Sequence, residues 1–347
     1  MKIGFYDSGL GGIKTLKDII DMGLKEEIYF LADEKNKPYG TKTAEEVKKI
    51  AIENVQTLVD LGCKIIVVAC NTATSVAIEP LREKFRPVEI IGTEPAVKLA
   101  VKEQSNKRIL VIATTITVNG EKLHKLINFL DADEKIDLLA TDKLVKLIED
   151  ENFTHNQKEV NEYIYEFLKP YNLAEYSHII LGCTHFPIVK DNIQEIVKNY
   201  GIKVIDGNEG IGRNLFNKIM KFKKENVQRK DESKLEVKII NTLPSKAFEK
   251  RTKEILQEIS SENSLFLEKI WYILNDIFAK SIDKCIKIKY NTNNICYQEW
   301  TRDSALRLHS NLFKLGANTD QEKMCLGWWL ERENQPLYRK YEGFFVL

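Results

Sequence analysis

Two short stretches of the chain end alike. "IIVVACNTAT" at 65–74 and "HIILGCTHFP" at 178–187 each close an apolar run with a cysteine that is followed by small polar residues. Parallel α/β sheets bind ligands outside the carboxyl ends of their strands, where loops turn into helices. A thiol at such a turn is expected to feel the positive end of the following helix, which lowers its pKa from about 8.5 toward neutrality. One cysteine in this setting is as readily a small buried hydrophobe, and Cys63, seven residues before Cys70, is read that way. Two in matching settings, Cys70 and Cys183, point to chemistry. The pair admits three schemes: a disulfide cycle, one nucleophile with a spectator, or two thiols facing each other across a substrate as proton donor and acceptor. The last suits inversion of a carbon centre, because one face loses a proton while the other gains one.

Candidate partners stand close by in sequence. "GFYDSGLGG" at 4–12 ends an apolar run with Asp7 and Ser8 and then supplies glycines at 9, 11 and 12. Such a loop lets backbone N–H groups approach a ligand carboxylate. Asp7 is a candidate proton relay for Cys70. His185, two residues after Cys183, is a candidate relay on the other side. The α-proton of an amino acid is very weakly acidic, so inversion without an electron sink needs fixed dipoles around the carbanion. Backbone N–H groups at "DSG", "YG", "CNT" and "CTH" can supply them.

The elements that must hold these residues follow from hydrophobic periodicity. Through about residue 205, short β-branched runs ("KIGFYDSG", "EEIYFLAD", "KIIVVACN", "VEIIGTEP", "KRILVIATT", "KIDLLATD", "HIILGCTH", "IKVIDGNEG") alternate with amphipathic stretches such as 43–60 and 187–200. This is an α/β pattern with a mainly parallel sheet. From 209 to 260 come a helix, a lysine-rich connector, one strand ("LEVKIIN") and a closing helix. Residues 261–347 differ in character: all four tryptophans and three of the six cysteines lie there. They are read as a small, mostly helical appendix, opening with an amphipathic helix or helical pair in "SLFLEKIWYILNDIFAKSIDKCIKI".

Composition limits the partners. Basic and acidic residues nearly cancel, 52 against 51, so the net charge of +1 gives no electrostatic case for nucleic acid or a membrane surface. A small-molecule ligand is expected. No apolar run has signal-peptide or transmembrane length, so the expected location is the cytoplasm. The cysteines show neither scaffold density nor a CxxC pair, so no metal is expected.

The motifs "DSGLGG" (7–12), "PYG" (38–40), "CNTAT" (70–74), "EPA" (94–96), "TV" (117–118) and "GCTHFP" (182–187) together resemble the glutamate racemases, within the cofactor-independent aspartate/glutamate racemase superfamily. The likeness covers residues 1 to about 260, where "SKAFEKRTKEIL" is similar to the family's closing helix. The resemblance implies two similar α/β lobes, 1–93 plus 207–260 and 94–206, with the active site between them. It implies that Cys70 takes the α-proton from D-glutamate and Cys183 from L-glutamate, with Asp7 assisting the first, and His185 and Glu149 the second. Substrate amino and carboxylate groups are expected at Asp7, Ser8, Tyr39, Gly40, Asn71, Thr72, Thr117, Thr184 and His185. No metal or pyridoxal phosphate is implied. Further implied are a homodimer, whose interface the sequence does not mark, and a supply of D-glutamate to peptidoglycan synthesis. Departures occur at Thr141 and Asp142, where many members carry Cys-Pro, and before the "PYG" turn, where the frequent arginine is missing and Asp33 matches.

Two other functions compete. The substrate is another amino acid such as aspartate, although an aspartate racemase is expected to depart at "CNTAT" and His185. Alternatively the lobes are a scaffold, and the aromatic appendix 261–347 is a module that binds a protein partner.

Overall fold

A computed structural model describes residues 1–103, 105–150, 153, 155–225 and 235–257, together with the backbone of three short strands within 270–296. Nine strands carry the described fold: β1 (Lys2–Asp7), β2 (Glu27–Ala32), β3 (Ile65–Val68), β4 (Glu89–Gly92), β5 (Arg108–Ala113), β6 (Ile136–Ala140), β7 (Tyr176–Leu181), β8 (Lys203–Asp206) and β9 (Glu236–Asn241). Each coincides with an apolar run marked by the sequence. They form two sheets, β9-β2-β1-β3-β4 and β6-β5-β7-β8, parallel throughout.

Parallel strands connected by helices are buried on both faces, which is why they read as near-continuous hydrophobic runs. In the first sheet Ile3, Phe5, Phe30, Ile65 and Val67 face the helix Gly11–Asp21. Tyr6, Leu31, Ile66 and Val68 face the opposite side, with the helices Ala44–Asp60 and Asn71–Lys84. This is the period-two alternation of a strand. The second sheet repeats it: Leu110, Ile112, Ile179 and Leu181 join one core layer, and Ile109, Val111 and Ile180 the other. Cys63 is fully buried in the layer of Tyr6 and Leu58, as expected of a packing thiol.

Strand order decides where ligands can bind. β2-β1-β3-β4 and β6-β5-β7-β8 are the same order, second-first-third-fourth, in the two halves. In each half the crossovers diverge between the first and third strands, opening a crevice at their carboxyl ends. β1 ends at Asp7 and β3 leads into Cys70; β5 leads into Thr114 and β7 into Cys183. The two cysteine turns are therefore topological equivalents, one per sheet.

The appendix differs from expectation where it is described. Ile270–Leu274 (β10) is a strand, parallel to β9, within the stretch read as a helix. Ile288–Asn291 (β11) and Asn294–Cys296 (β12) follow as antiparallel neighbours. "IWYIL" at 270–274 is β-branched and aromatic, types that favour a strand, and the strand adds to the edge of β9. The rest of 261–347 lies outside the described residues. Among the described residues no helix is long and apolar enough to cross a membrane.

Candidate active site

Asp7, at the end of β1, is completely buried. Its Oδ2 accepts from the amides of Gly9 and Gly12, both at 3.0 Å. A Cβ on Gly12 would sit 2.4 Å from that of Asp7, so only glycine lets the loop fold back over the carboxylate. The glycine-rich loop was expected to receive a ligand's carboxylate; instead two of its amides receive the chain's own. Oδ1 of Asp7 accepts from Thr184 Oγ1 at 3.1 Å, a bond between the two sheets' loops. Asp7 is not part of the cleft wall.

Cys70 caps the helix Asn71–Lys84, and its sulfur accepts from the Ala73 amide at 3.5 Å and lies 3.7 Å from Ser8 Oγ. The expected fall in its pKa does not occur. Burial pushes the Cys70 thiol up, the Asp7 charge adds to that, and the Ala73 amide opposes it only in part. The cap and dipole act on a sulfur that has lost its water, and desolvation wins. On the Cys183 side the helix expectation also needs correction. A short 3₁₀ turn, Phe186–Val189, follows the cysteine, and the helix begins only at Lys190. Pro187 suits that turn, since it has no N–H to give.

His185 is buried beside Cys183, its Nδ1 3.7 Å from the sulfur. Its Nε2 lies 2.5 Å from Glu149 Oε1 and 3.3 Å from the Gly11 amide. One nitrogen cannot accept from Gly11 while donating to Glu149, and the shorter contact with a carboxylate places the proton on Nε2. Burial works against charge on His185, but its hydrogen bonds to Cys183 and Glu149 hold its pKa well above the ordinary imidazole value. Burial likewise opposes the charge on Glu149, yet His185 and then Lys37 hold its carboxyl down at about 2.

Lys37 is the residue the motifs missed. It forms ion pairs with Glu149 and, at 2.6 Å, with Glu34 Oε2, joining the loop after β2 to the helix Asp142–Glu149 of the other sheet. A lysine in a polar loop gives no sequence signal for this. Burial pushes Glu34 up to about 7, and the nearby Glu149 charge adds to it. Tyr39 is fixed from behind: its hydroxyl donates to Asp33 Oδ2 and meets Tyr6 Oη, both at 2.6 Å. Asp33 thus serves the turn from below. Gly40 meets Asp142 so closely that a Cβ would lie 2.2 Å from Oδ1, an oxygen that is buried and without a hydrogen-bond partner among the described groups.

These groups surround one cleft of about 260 Å³, below the roughly 300–1,000 Å³ of drug-sized pockets and suited to a small solute. Cys70 and Cys183 both line it, as do Ser8, Tyr39, Gly40, Asn71, Thr72, Glu149, Thr184 and His185. Thr117 does not. It stands one residue back, its Oγ1 3.0 Å from Thr114 Oγ1, which is in turn 2.9 Å from Thr72 Oγ1. Thr114, Asp142 and Lys146 line the wall and had not been expected there.

The arrangement brings two sulfurs, an imidazole–carboxylate pair and an ammonium around one small space, and the comparisons with known proteins agree with it. The profile of the Asp/Glu/hydantoin racemase family matches residues 23–210. A glutamate racemase of Lachnospira eligens is 44% identical over 223 residues, covering 64% of this chain and 83% of that protein. A glutamate racemase of Clostridium perfringens is 36% identical over 255 residues, covering 74% and 96%. Among solved structures, a glutamate racemase isoform from Bacillus anthracis superposes with a TM-score of 0.64 at 26% identity, covering 79% of this chain and 97% of that one. The Francisella tularensis glutamate racemase in complex with D-glutamate gives 0.61 at 25% identity, covering 78% and 96%. With its paired cysteine turns and this likeness, the chain belongs to the Asp/Glu/hydantoin racemase family.

Proposed function

We propose that the protein is a glutamate racemase, interconverting L- and D-glutamate by two thiols and no cofactor. One observation carries this reading above the others: Cys70 and Cys183 occupy equivalent positions in the two sheets and line the same cleft. A disulfide cycle or a lone nucleophile does not call for that symmetry, whereas inversion does. The relatives' names supply the substrate.

In the direction from L-glutamate, Cys183, stabilised as a thiolate by a hydrogen bond from the imidazolium of His185 that Glu149 holds, removes the α-proton and becomes a thiol, while His185 keeps its own proton. Cys70, kept protonated by burial, delivers its proton to the opposite face of the carbanion. One proton leaves carbon and one arrives, so the products are D-glutamate, a Cys70 thiolate and a Cys183 thiol. The reverse reaction runs the same steps backward. Asp7, whose carboxyl burial pushes up to about 6, stands next to the Cys70 turn as its proton partner. Ser8, Tyr39, Gly40, Asn71, Thr72, Thr184 and His185 bind the substrate's charged groups, and Thr117 acts through Thr114 and Thr72. The two sheets, with lobes 1–93 plus 207–260 and 94–206, are the functional halves.

D-glutamate made in the cytoplasm for bacterial peptidoglycan completes the proposal. The test is incubation of the purified protein, free of pyridoxal phosphate and stripped of metal, with L-glutamate and separately L-aspartate, followed by chiral analysis. D-glutamate formation supports the reading. D-aspartate formation alone moves the substrate, and no change in either overturns the glutamate reading.

A further inference from the structure

We infer that Arg251 is a positioning residue for the Cys183 side of the site, acting from the opposite lobe through Glu149. Arg251 belongs to the helix Lys246–Gln257 that follows β9, far in sequence from both cysteine turns, and its side chain is buried. Its Nη1 donates to the carbonyl of Ile148 at 3.2 Å and to that of Asp150 at 3.0 Å. These carbonyls flank Glu149, the last residue of the helix Asp142–Glu149.

The last carbonyls of a helix lack intrahelical partners, and this helix ends without a left-handed cap residue: Asp150 is extended, with φ −60° and ψ 137°. Arg251 takes the place of a cap and also sets a cation at the negative end of the helix. Its guanidinium is aimed by two further contacts. It lies over the Phe153 ring, 4.6 Å from the centroid, and Nε is 3.7 Å from Glu254 Oε2. A planar group stacked on one face and bonded at its edge has little freedom left. The carbonyls of both sequence neighbours of Glu149 are therefore held by one side chain. From there the chain of contacts is short: Glu149 Oε1 is 2.5 Å from His185 Nε2, and His185 Nδ1 is 3.7 Å from Cys183 Sγ. Cys70 has no share in it.

The inference rests on the two-thiol reading, and its test is chosen to separate the two. Arg251→Met and Arg251→Lys are compared with the unaltered full-length protein in glutamate racemisation. The rates at which iodoacetamide alkylates Cys70 and Cys183 are measured by mass spectrometry of the peptides. Displacing a reacting group by about an ångström costs up to about a hundredfold, so Arg251→Met is expected to lower kcat by about tenfold or more with a smaller change in KM. Cys183 alkylation should change while Cys70 alkylation stays as it was, and Arg251→Lys should restore part of both readouts. Unaltered kcat, or equal changes at the two thiols, overturns the inference. If Arg251→Met does not fold, Phe153→Leu, which removes the platform under the guanidinium, decides in the same way. A selective change at Cys183 supports the inference and none overturns it. Should the racemase reading itself fail, the unaltered protein shows no turnover, and the alkylation ratio still tests Arg251.

Discussion

Glu149 Oε1 lies 2.5 Å from His185 Nε2, so a carboxylate from the end of one helix fixes the proton of an imidazole two residues from a thiol. The pair explains why a buried histidine can stay charged. Replacing Glu149 by Gln keeps the size and a hydrogen-bond acceptor but removes the charge. His185 then keeps its burial and loses its counter-ion, so its pKa falls. The expected result is a loss of about tenfold or more in kcat/KM at neutral pH, with the alkaline limb of the pH profile moved to lower pH. A pH profile of kcat/KM identical to that of the unaltered protein would remove Glu149 from the site.

Single replacement of either thiol should split the reaction. With Cys70→Ser, Cys183 can still take a proton from L-glutamate; with Cys183→Ser, Cys70 can still take one from D-glutamate. Racemisation is expected to vanish in both. In D₂O, α-hydrogen exchange should persist, if slowly, for one enantiomer only, opposite in the two variants. NMR of each enantiomer reads this directly, and full racemisation by either variant rejects the two-base scheme.

Asp7 makes a stability prediction with a definite sign. Burial raises its pKa from 3.8 to about 6, so the folded protein holds a proton that the unfolded chain has released. That contribution is complete below pH 3.8 and is lost as pH rises through about 6. At about 1.4 kcal/mol per pKa unit the loss is roughly 3 kcal/mol. Asp7→Asn can keep the carbonyl toward Gly9 and Gly12 and turn its NH₂ toward Thr184. It should flatten stability over this range, measured by urea unfolding at several pH values, while reducing racemisation. An unchanged slope would show that Asp7 is not the group responsible.

Gly11 is where the two loops meet. A Cβ there would lie 2.6 Å from Thr184 Oγ1 and 2.7 Å from the His185 backbone nitrogen. Gly11→Ala must push the Cys183 loop away, at an overpacking cost of about 1–3 kcal/mol. The expected outcome is a protein that still folds, with kcat reduced far more than the lowered Tm suggests. Wild-type kcat in this variant would show that the loops have slack.

Removal of 261–347 should leave catalysis in place. The Clostridium perfringens enzyme is matched over 96% of its length by 255 residues of this chain, and both cysteine turns and Arg251 precede residue 261. A chain ending at 260 is expected to racemise glutamate, assayed by chiral separation. Its loss of solubility would instead assign β10 the task of covering the edge of β9.

The sequence by itself determined the nine strands through β9, because burial on both faces of a parallel sheet writes itself as uninterrupted apolar runs, and it marked Cys70 and Cys183 by their place after two of them. It offered Asp7 and His185 as relays by their places at the glycine loop and beside Cys183, and named Glu149 only through a resemblance, since its partners are distant along the chain. Only the tertiary structure decided what those residues do to each other. It turned the glycine loop onto Asp7, moved Thr117 behind Thr72, and raised the Cys70 thiol where a helix end alone would have lowered it. It also brought Lys37 and Arg251 to Glu149 from the other lobe. The reason is the same in each case: periodicity records which side of an element is dry, whereas desolvation, ion pairing and the capping of a helix end depend on which distant group closes the space.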